Sequence, residues 1–139
     1  MAETNMVPVG IVCSPFKERG DAPRQGRLSD ELSKITIFPE YLDALLGLSE
    51  GADIFILCWF DRSDRSVLQS HLGGDETRPI RGVFASRSPN RPNPISLTLA
   101  RLVKIEGNKL TVKGLEALDR TPVLDIKPYS EQFDTPIKE

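Results

Sequence analysis

The chain reads as an all-β barrel or sandwich. Short apolar runs of strand length recur with turn residues between them, one long alternating run ends in the hairpin signal Gly107-Asn108, and one segment alone carries a helical period. About seven short strands and one short helix in a single domain, residues 1–139, follow from that pattern.

Val7 to Cys13, rich in branched apolar residues, is the first expected strand, and Ser14-Pro15 closes it. Phe16 to Arg27 is polar, contains Gly20, Pro23 and Gly26, and reads as a loop. Lys34 to Ile37 alternates as a short strand. Pro39 suits a helix N1 position, Leu42, Leu45 and Leu46 share a helical face, and Gly47 fits C′, giving a helix of about two turns. Ile54 to Phe60 is a continuous apolar run, the expected buried central strand. Asp61 to Thr77 reads as a loop, and Ile80 to Ala85 returns to strand. Ile95, Leu97, Leu99, Val103 and Ile105 then fall on alternate positions and define one apolar face, interrupted by Arg101. After the hairpin, Lys109 to Leu115 is expected to turn Leu110 and Val112 inward, and Val123 to Ile126 forms a last strand before Pro128.

Composition excludes several classes. The 139 residues, 39% hydrophobic and 27% charged, are those of an ordinary globular domain, and no apolar run approaches the ~20 residues of a membrane helix. The N-terminus lacks the pattern of a secretion signal, so a cytoplasmic location is expected. Cys13 and Cys58 lie in apolar runs and read as buried free thiols; with a single histidine and no paired cysteine spacing, no metal site is expected. There is no Gly-x-Gly-x-x-Gly after a strand, no Walker loop and no Gly-x-Ser-x-Gly elbow, which removes Rossmann-type enzymes and α/β-hydrolases.

Two segments are dense in chemistry. Gly82 to Ser96 holds Pro89, Pro92 and Pro94, which fix φ and remove backbone donors, so the turn is stiff and its polar groups are preorganised. The wider stretch Arg78 to Lys104 carries six basic residues and no acid, leaving 12 basic against 20 acidic residues elsewhere, a local charge that points to an anionic ligand or partner. The second segment, Leu118 to Tyr129, gathers Asp119, Asp125, Lys127 and Tyr129; Asp125 and Lys127, two apart, share a face of an extended chain.

Together these segments resemble the TrmO family, also called TsaA-like or VirR-like, in its shorter, archaeal-like form. The resemblance rests on Gly10-Ile11-Val12, on Ser14-Pro15-Phe16-Lys17, on Pro23-Arg24-Gln25, on Arg81 to Ile95 and on Thr121 to Tyr129. It implies a single-sheeted β-barrel, a homodimer, S-adenosylmethionine as methyl donor, and N-methylation of threonylcarbamoyl-adenosine next to the anticodon of transfer RNA. It also implies a cofactor pocket built from Pro23, Arg24, Gln25, Asp61, Arg62, Arg87, Leu97, Leu115 and Glu116. The acceptor nitrogen bears a carbonyl group, which makes it a poor nucleophile, so a general base worth ~10²–10⁴-fold is expected, with Asp119, Asp125 and Tyr129 as candidates. Arg91 and Asn93 are expected to brace the proline loop, leaving Arg78, Arg81 and Arg101 for an RNA surface. The chain departs from the family pattern at Ser96 and Arg120, where glycine is usual, and at Asp61-Arg62, where histidine often stands. Those departures keep two alternatives open: methyl transfer to a different small acceptor, and a non-catalytic cofactor-binding dimeric module.

Overall fold

A computed structural model of the protein describes residues 2–17 and 31–138. Its strands are β1 (Gly10–Cys13), β2 (Leu32–Ile37), β3 (Asp53–Trp59), β4 (Gln69–His71), β5 (Ile80–Gly82), β6 (Ile95–Glu106), β7 (Lys109–Lys113) and β8 (Pro122–Pro128), followed by the short helix α1 (Glu131–Asp134). Six of them close a barrel in the order β1-β2-β7-β6-β3-β8, every neighbour antiparallel, while β4 and β5 form a separate two-stranded arm. Closure removes the exposed edges of the main sheet.

The barrel interior is filled by Val12, Ile35, Ile37, Ile54, Ile56, Cys58, Ala100, Leu102, Leu110, Val112, Leu115, Ala117 and Val123. Leu110 and Val112 point inward as their spacing predicts. Gly10 allows β1 to approach β2 closely, since a Cβ there would lie 2.5 Å from the carbonyl oxygen of Thr36. The β6–β7 hairpin turns at Gly107, whose φ of 62° suits glycine, and Asn108 ties the turn to β2 by donating to the Ile37 carbonyl at 3.1 Å.

The structure settles one point that alternation leaves open and corrects several expectations. The alternating apolar set of β6 faces out of the barrel: Ile95, Leu97, Leu99 and Val103 are 38–44% exposed, and Thr98, Ala100 and Leu102 turn inward. Small side chains suit the interior of a narrow barrel. A register shift between Leu102 and Lys104 turns Ile105 back against the core. The segment after Pro39 is a seven-residue 3₁₀ helix, Pro39–Leu45, with Leu46 as C-cap and Gly47 at φ 89°. Only Leu45 of its three leucines packs on the core; Leu42 and Leu46 are exposed. The expected 61–77 loop contains β4, and the expected strand 80–85 stops at Gly82, where a 3₁₀ turn, Val83–Ala85, takes over. The first strand begins at Gly10 rather than Val7, and Cys13, alternate to buried Val12, is exposed.

Candidate functional site

Both chemistry-dense segments meet at one end of the barrel, where β3 finishes and β6 and β8 begin. Phe60 N–H donates to the Pro94 carbonyl at 2.8 Å, holding the end of β3 to the foot of the proline loop. A bulge between Leu57 and Cys58 shifts the β3–β8 register, and the Cys58 N–H is taken by the Ser96 hydroxyl at 3.1 Å. Ser96, a departure from the family pattern, therefore satisfies a backbone donor beside a bulge. On the outer surface Leu97, Leu57 and Asp125 stand in one cross-strand row, so Asp125 lies two strand spacings, about 10 Å, from Leu97.

Side chains set the shape of the proline loop. Arg91 donates to three carbonyls, those of Ser86 (3.1 Å), Ser88 (3.2 Å) and Val83 (2.5 Å), the last of which also accepts from Ser86 N–H at 3.2 Å. Arg65 fastens the loop from outside: its Nε donates to the Pro92 carbonyl at 2.7 Å, its Nη2 to Asn93 Oδ1 at 3.2 Å, and its guanidinium lies 5.0 Å from the centroid of Trp59. Asn90 Oδ1 accepts from Asp64 N–H at 2.9 Å. Arg91 and Asn93 thus brace the loop as expected, with Arg65 and Asn90 as further struts.

The loop walls a groove of about 430 Å³ lined by Phe60, Phe84, Ser86 to Pro89, Arg91 and Pro94 to Leu97. Phe60, Pro94, Ile95 and Leu97 line it beside Arg87, which is exposed and without an ion pair among the described residues.

The turn into β8 is stitched from three sides. Asp119 accepts from Ser14 N–H at 2.9 Å and from Lys17 Nζ at 2.9 Å, and its carbonyl accepts from Arg62 Nη2 at 2.7 Å. Arg62 also donates to the Thr121 hydroxyl at 3.0 Å. The hydrogen bond from Lys17 and that from Ser14 hold the Asp119 carboxyl below its usual range, which weakens it as a base. Arg120 sits at φ 69°, a left-handed conformation that favours glycine.

Asp61, Arg62, Arg87, Leu97, Glu116 and Asp119 therefore gather at this end of the barrel, and Asp125 lies on the adjoining row. Glu116 accepts from the Thr98 hydroxyl at 3.2 Å, and the Leu115 side chain is buried in the barrel core. Asp125 pairs with Lys127 at 3.2 Å on their shared outer face. Tyr129 is not brought to this end: its N–H donates to the carbonyl of Asp53, at the start of β3, and four extended residues, about 13 Å, separate it from Asp125. Its ring packs on Phe55 at 6.0 Å. Pro23, Arg24 and Gln25 lie outside the described residues. Phe60, Phe84 and Arg65 were not singled out in the sequence; the signal for Phe84 was its place inside the proline-loop motif, two residues before Ser86.

The basic stretch is divided in space and in bonding. Arg101 pairs with Asp53 at 2.8 Å on the outer face of β6 and β3, Lys104 with Glu106 at 3.6 Å, and Arg91 is turned into its own loop. Arg78, Arg81 and Arg87 are exposed and form no ion pair among the described residues.

A sequence profile for the tRNA-methyltransferase O N-terminal domain matches residues 11–135. The chain belongs to the TrmO family. Within it, a probable S-adenosyl-L-methionine-binding protein of Methanothermobacter thermautotrophicus is 52% identical over 133 residues, covering 96% of this chain and 95% of that protein. A mouse tRNA (adenine(37)-N6)-methyltransferase is 39% identical over 93% of this chain, which spans 31% of the mouse protein. Among solved structures, TrmO from Pseudomonas aeruginosa superposes with a TM-score of 0.78 at 32% identity, covering 97% of this chain and 58% of that one. The closed barrel is the fold of that neighbour.

The groove fits the cofactor implied by membership of the TrmO family. Its volume lies within the ~300–1,000 Å³ of small-molecule sites. S-adenosylmethionine combines an aromatic base and an aliphatic chain with hydroxyls and a carboxylate, and the groove offers Phe60, Pro94, Ile95 and Leu97 beside the Arg87 cation and Ser86 and Ser88. Among the described residues no cluster suited to a metal ion is found, and no helix is long and apolar enough to cross a membrane.

Proposed function

We propose that this chain is a cytoplasmic, S-adenosylmethionine-dependent methyltransferase that acts on the ring-attached N6 nitrogen of threonylcarbamoyl-adenosine beside the tRNA anticodon. The observation that carries this reading is a groove of cofactor size walled by the proline loop at the end of β3, the end against which β8 also begins. The mouse relative, named for N6 methylation at adenine 37, supports the acceptor.

The bound cofactor supplies an electrophilic methyl group on a sulfonium. The chain's own contribution is position and proton handling. Arg87 would hold the cofactor's carboxylate, with Phe60, Ile95 and Leu97 positioned to exclude water from its apolar part. Arg62 acts through the Asp119 carbonyl and the Thr121 hydroxyl, fixing the turn that aims β8. Asp125 is the preferred proton acceptor, because its row reaches Leu97, whereas Asp119 is held in its ionised form and Tyr129 lies along the strand. Relieving the acceptor nitrogen of its proton raises its nucleophilicity, the step a general base accelerates by ~10²–10⁴-fold.

The working form is a homodimer joined through the outer face of β6 and β3. Leu97, Leu99 and Val103 are 40–44% exposed there, and Leu57 and Trp59 lie on the same face of the sheet. Leu97 belongs to both this face and the groove, so a second copy would close one groove wall. Leu99→Glu should give a monomer by sedimentation with cofactor affinity reduced; a persistent dimer would refute this interface.

Labelled S-adenosylmethionine and tRNA prepared with or without the threonylcarbamoyl group test the activity. Label is expected only in the modified tRNA. Transfer to unmodified tRNA alone, or none to either, would overturn the proposed acceptor.

A further inference from the structure

The β4–β5 arm stands outside the closed barrel. Each residue of β5 is exposed, so the arm projects into solvent. Phe84, in the 3₁₀ turn that ends β5, is 89% exposed at the rim of the groove. Leu68, whose carbonyl accepts from Val83 N–H at 2.9 Å, is 67% exposed, and Ile80 is 60% exposed. Arg81 lies between Ile80 and the Phe84 turn, and Arg78 leads into the strand.

We infer that this arm is the RNA-docking surface, with Phe84 as a stacking platform for an unpaired base and Arg81 and Arg78 as phosphate contacts. This rests on the proposed tRNA substrate and names where it is held. Charge commits the surface to nucleic acid. Of the six cations between Arg78 and Lys104, those on the barrel are neutralised by Asp53 and Glu106, and Arg91 is spent on its own loop. The unpaired ones lie on the arm and the groove rim. The acids in the arm's turn are Asp75 and Glu76; the Asp75 carboxylate accepts from Thr77 N–H (2.9 Å) and its hydroxyl (2.6 Å), which turns it back into the tip. An almost fully exposed phenylalanine beside cations is the arrangement that holds single-stranded bases, since every base has a π-face. Phe84 at the rim would keep the target nucleotide next to the groove.

The test is equilibrium binding of threonylcarbamoylated tRNA to the full chain across a salt series, with cofactor affinity measured in parallel by calorimetry. Arg81→Ala and Arg78→Ala should each lower the salt slope by about 0.7–0.9. Phe84→Ala should weaken tRNA binding about 5- to 150-fold with the slope unchanged. Lys104→Ala, which removes a paired cation elsewhere, should leave the slope unchanged, and cofactor affinity should be the same in the Arg78, Arg81 and Lys104 variants. Wild-type slopes in both arginine variants would overturn the surface, as would a Phe84→Ala effect on the cofactor rather than the RNA. Wild-type protein that binds the cofactor but no tRNA would overturn the acceptor class and the surface together; wild-type tRNA binding with unaffected variants would overturn the surface alone.

Discussion

Removing the Arg65 guanidinium should release the proline loop. Arg65 makes two hydrogen bonds to the loop, at 2.7 and 3.2 Å, and packs 5.0 Å from the Trp59 centroid. An intramolecular hydrogen bond contributes about 0.5–1.5 kcal/mol net, with the longer one at the low end. An exposed cation–π contact adds about 0.5–1 kcal/mol. Arg65→Ala should therefore free the loop by about 1.5–3 kcal/mol. Arg65→Lys keeps the charge over the ring but loses the fork, so it should retain the cation–π part and most of one hydrogen bond, costing about half as much. Trp59 is the chain's single tryptophan, so its fluorescence reports the contact directly. Acrylamide quenching should rise in Arg65→Ala and only slightly in Arg65→Lys. Cofactor affinity should fall in the same order, because Arg87 rides on the loop that Arg65 fastens. Unchanged quenching and unchanged cofactor affinity in Arg65→Ala would refute the strut.

The remaining predictions concern backbone, thiols and acid stability. Arg120→Gly should stabilise the fold by up to about 1 kcal/mol, since leaving φ 69° to glycine removes about 1–2 kcal/mol of strain against about 0.5–1 of added chain entropy. Arg120→Ala, which keeps the strain, should show no such gain in a denaturant titration, and equal stability of the two variants would contradict the strain assignment. Native protein should react with a thiol reagent at exposed Cys13 only, because burial, the leading cause, pushes the Cys58 thiol up to about 12; labelling of both cysteines before unfolding would be the contrary result. The same shift sets an alkaline limb: the folded state holds the Cys58 proton more tightly than the unfolded chain, so stability should decline as pH rises from about 9 toward 12. For Asp119 the sign reverses. Its folded pKa is depressed by Lys17 and Ser14, so its stabilisation is present above the ordinary carboxylate range and is lost as pH falls through the folded value. Asp119→Asn should flatten the acid limb of a stability–pH curve, and an unaltered limb would show that the Lys17 contact carries nothing.

The elements legible in the sequence were those governed by local chemistry. Gly107-Asn108 gave its hairpin, Pro39 and Gly47 bounded their helical segment, and the two-residue spacing of Asp125 and Lys127 put them on one face as an ion pair. The facing of β6 was not legible, because alternation names a face without saying which side is the interior. Thr98 and Ala100 turn into the barrel with Leu102, and Leu97 and Leu99 cover an outer surface instead. Bulges at Leu57/Cys58 and Leu102/Lys104 leave no local signature, yet the first shifts the β3–β8 register and the second decides that Ile105 faces in. The separation of Tyr129 from Asp119 depends on the pairing of β8 with β3, a register fixed by residues some 70 positions apart. Similarly, the six cations close in sequence divide into two ion pairs, because Asp53 and Glu106 outside the stretch reach in, one loop strut, Arg91, and three exposed arginines.

Nucleoside mass spectrometry of threonylcarbamoylated tRNA after incubation with S-adenosylmethionine and the protein tests the central claim most directly. Threonylcarbamoyl-adenosine should be converted to a species heavier by one methyl substitution, and Arg87→Ala, with the fold intact by circular dichroism, should abolish the conversion at cofactor levels that saturate the wild type only. Threonylcarbamoyl-adenosine recovered unchanged by wild-type protein that binds the cofactor would contradict it.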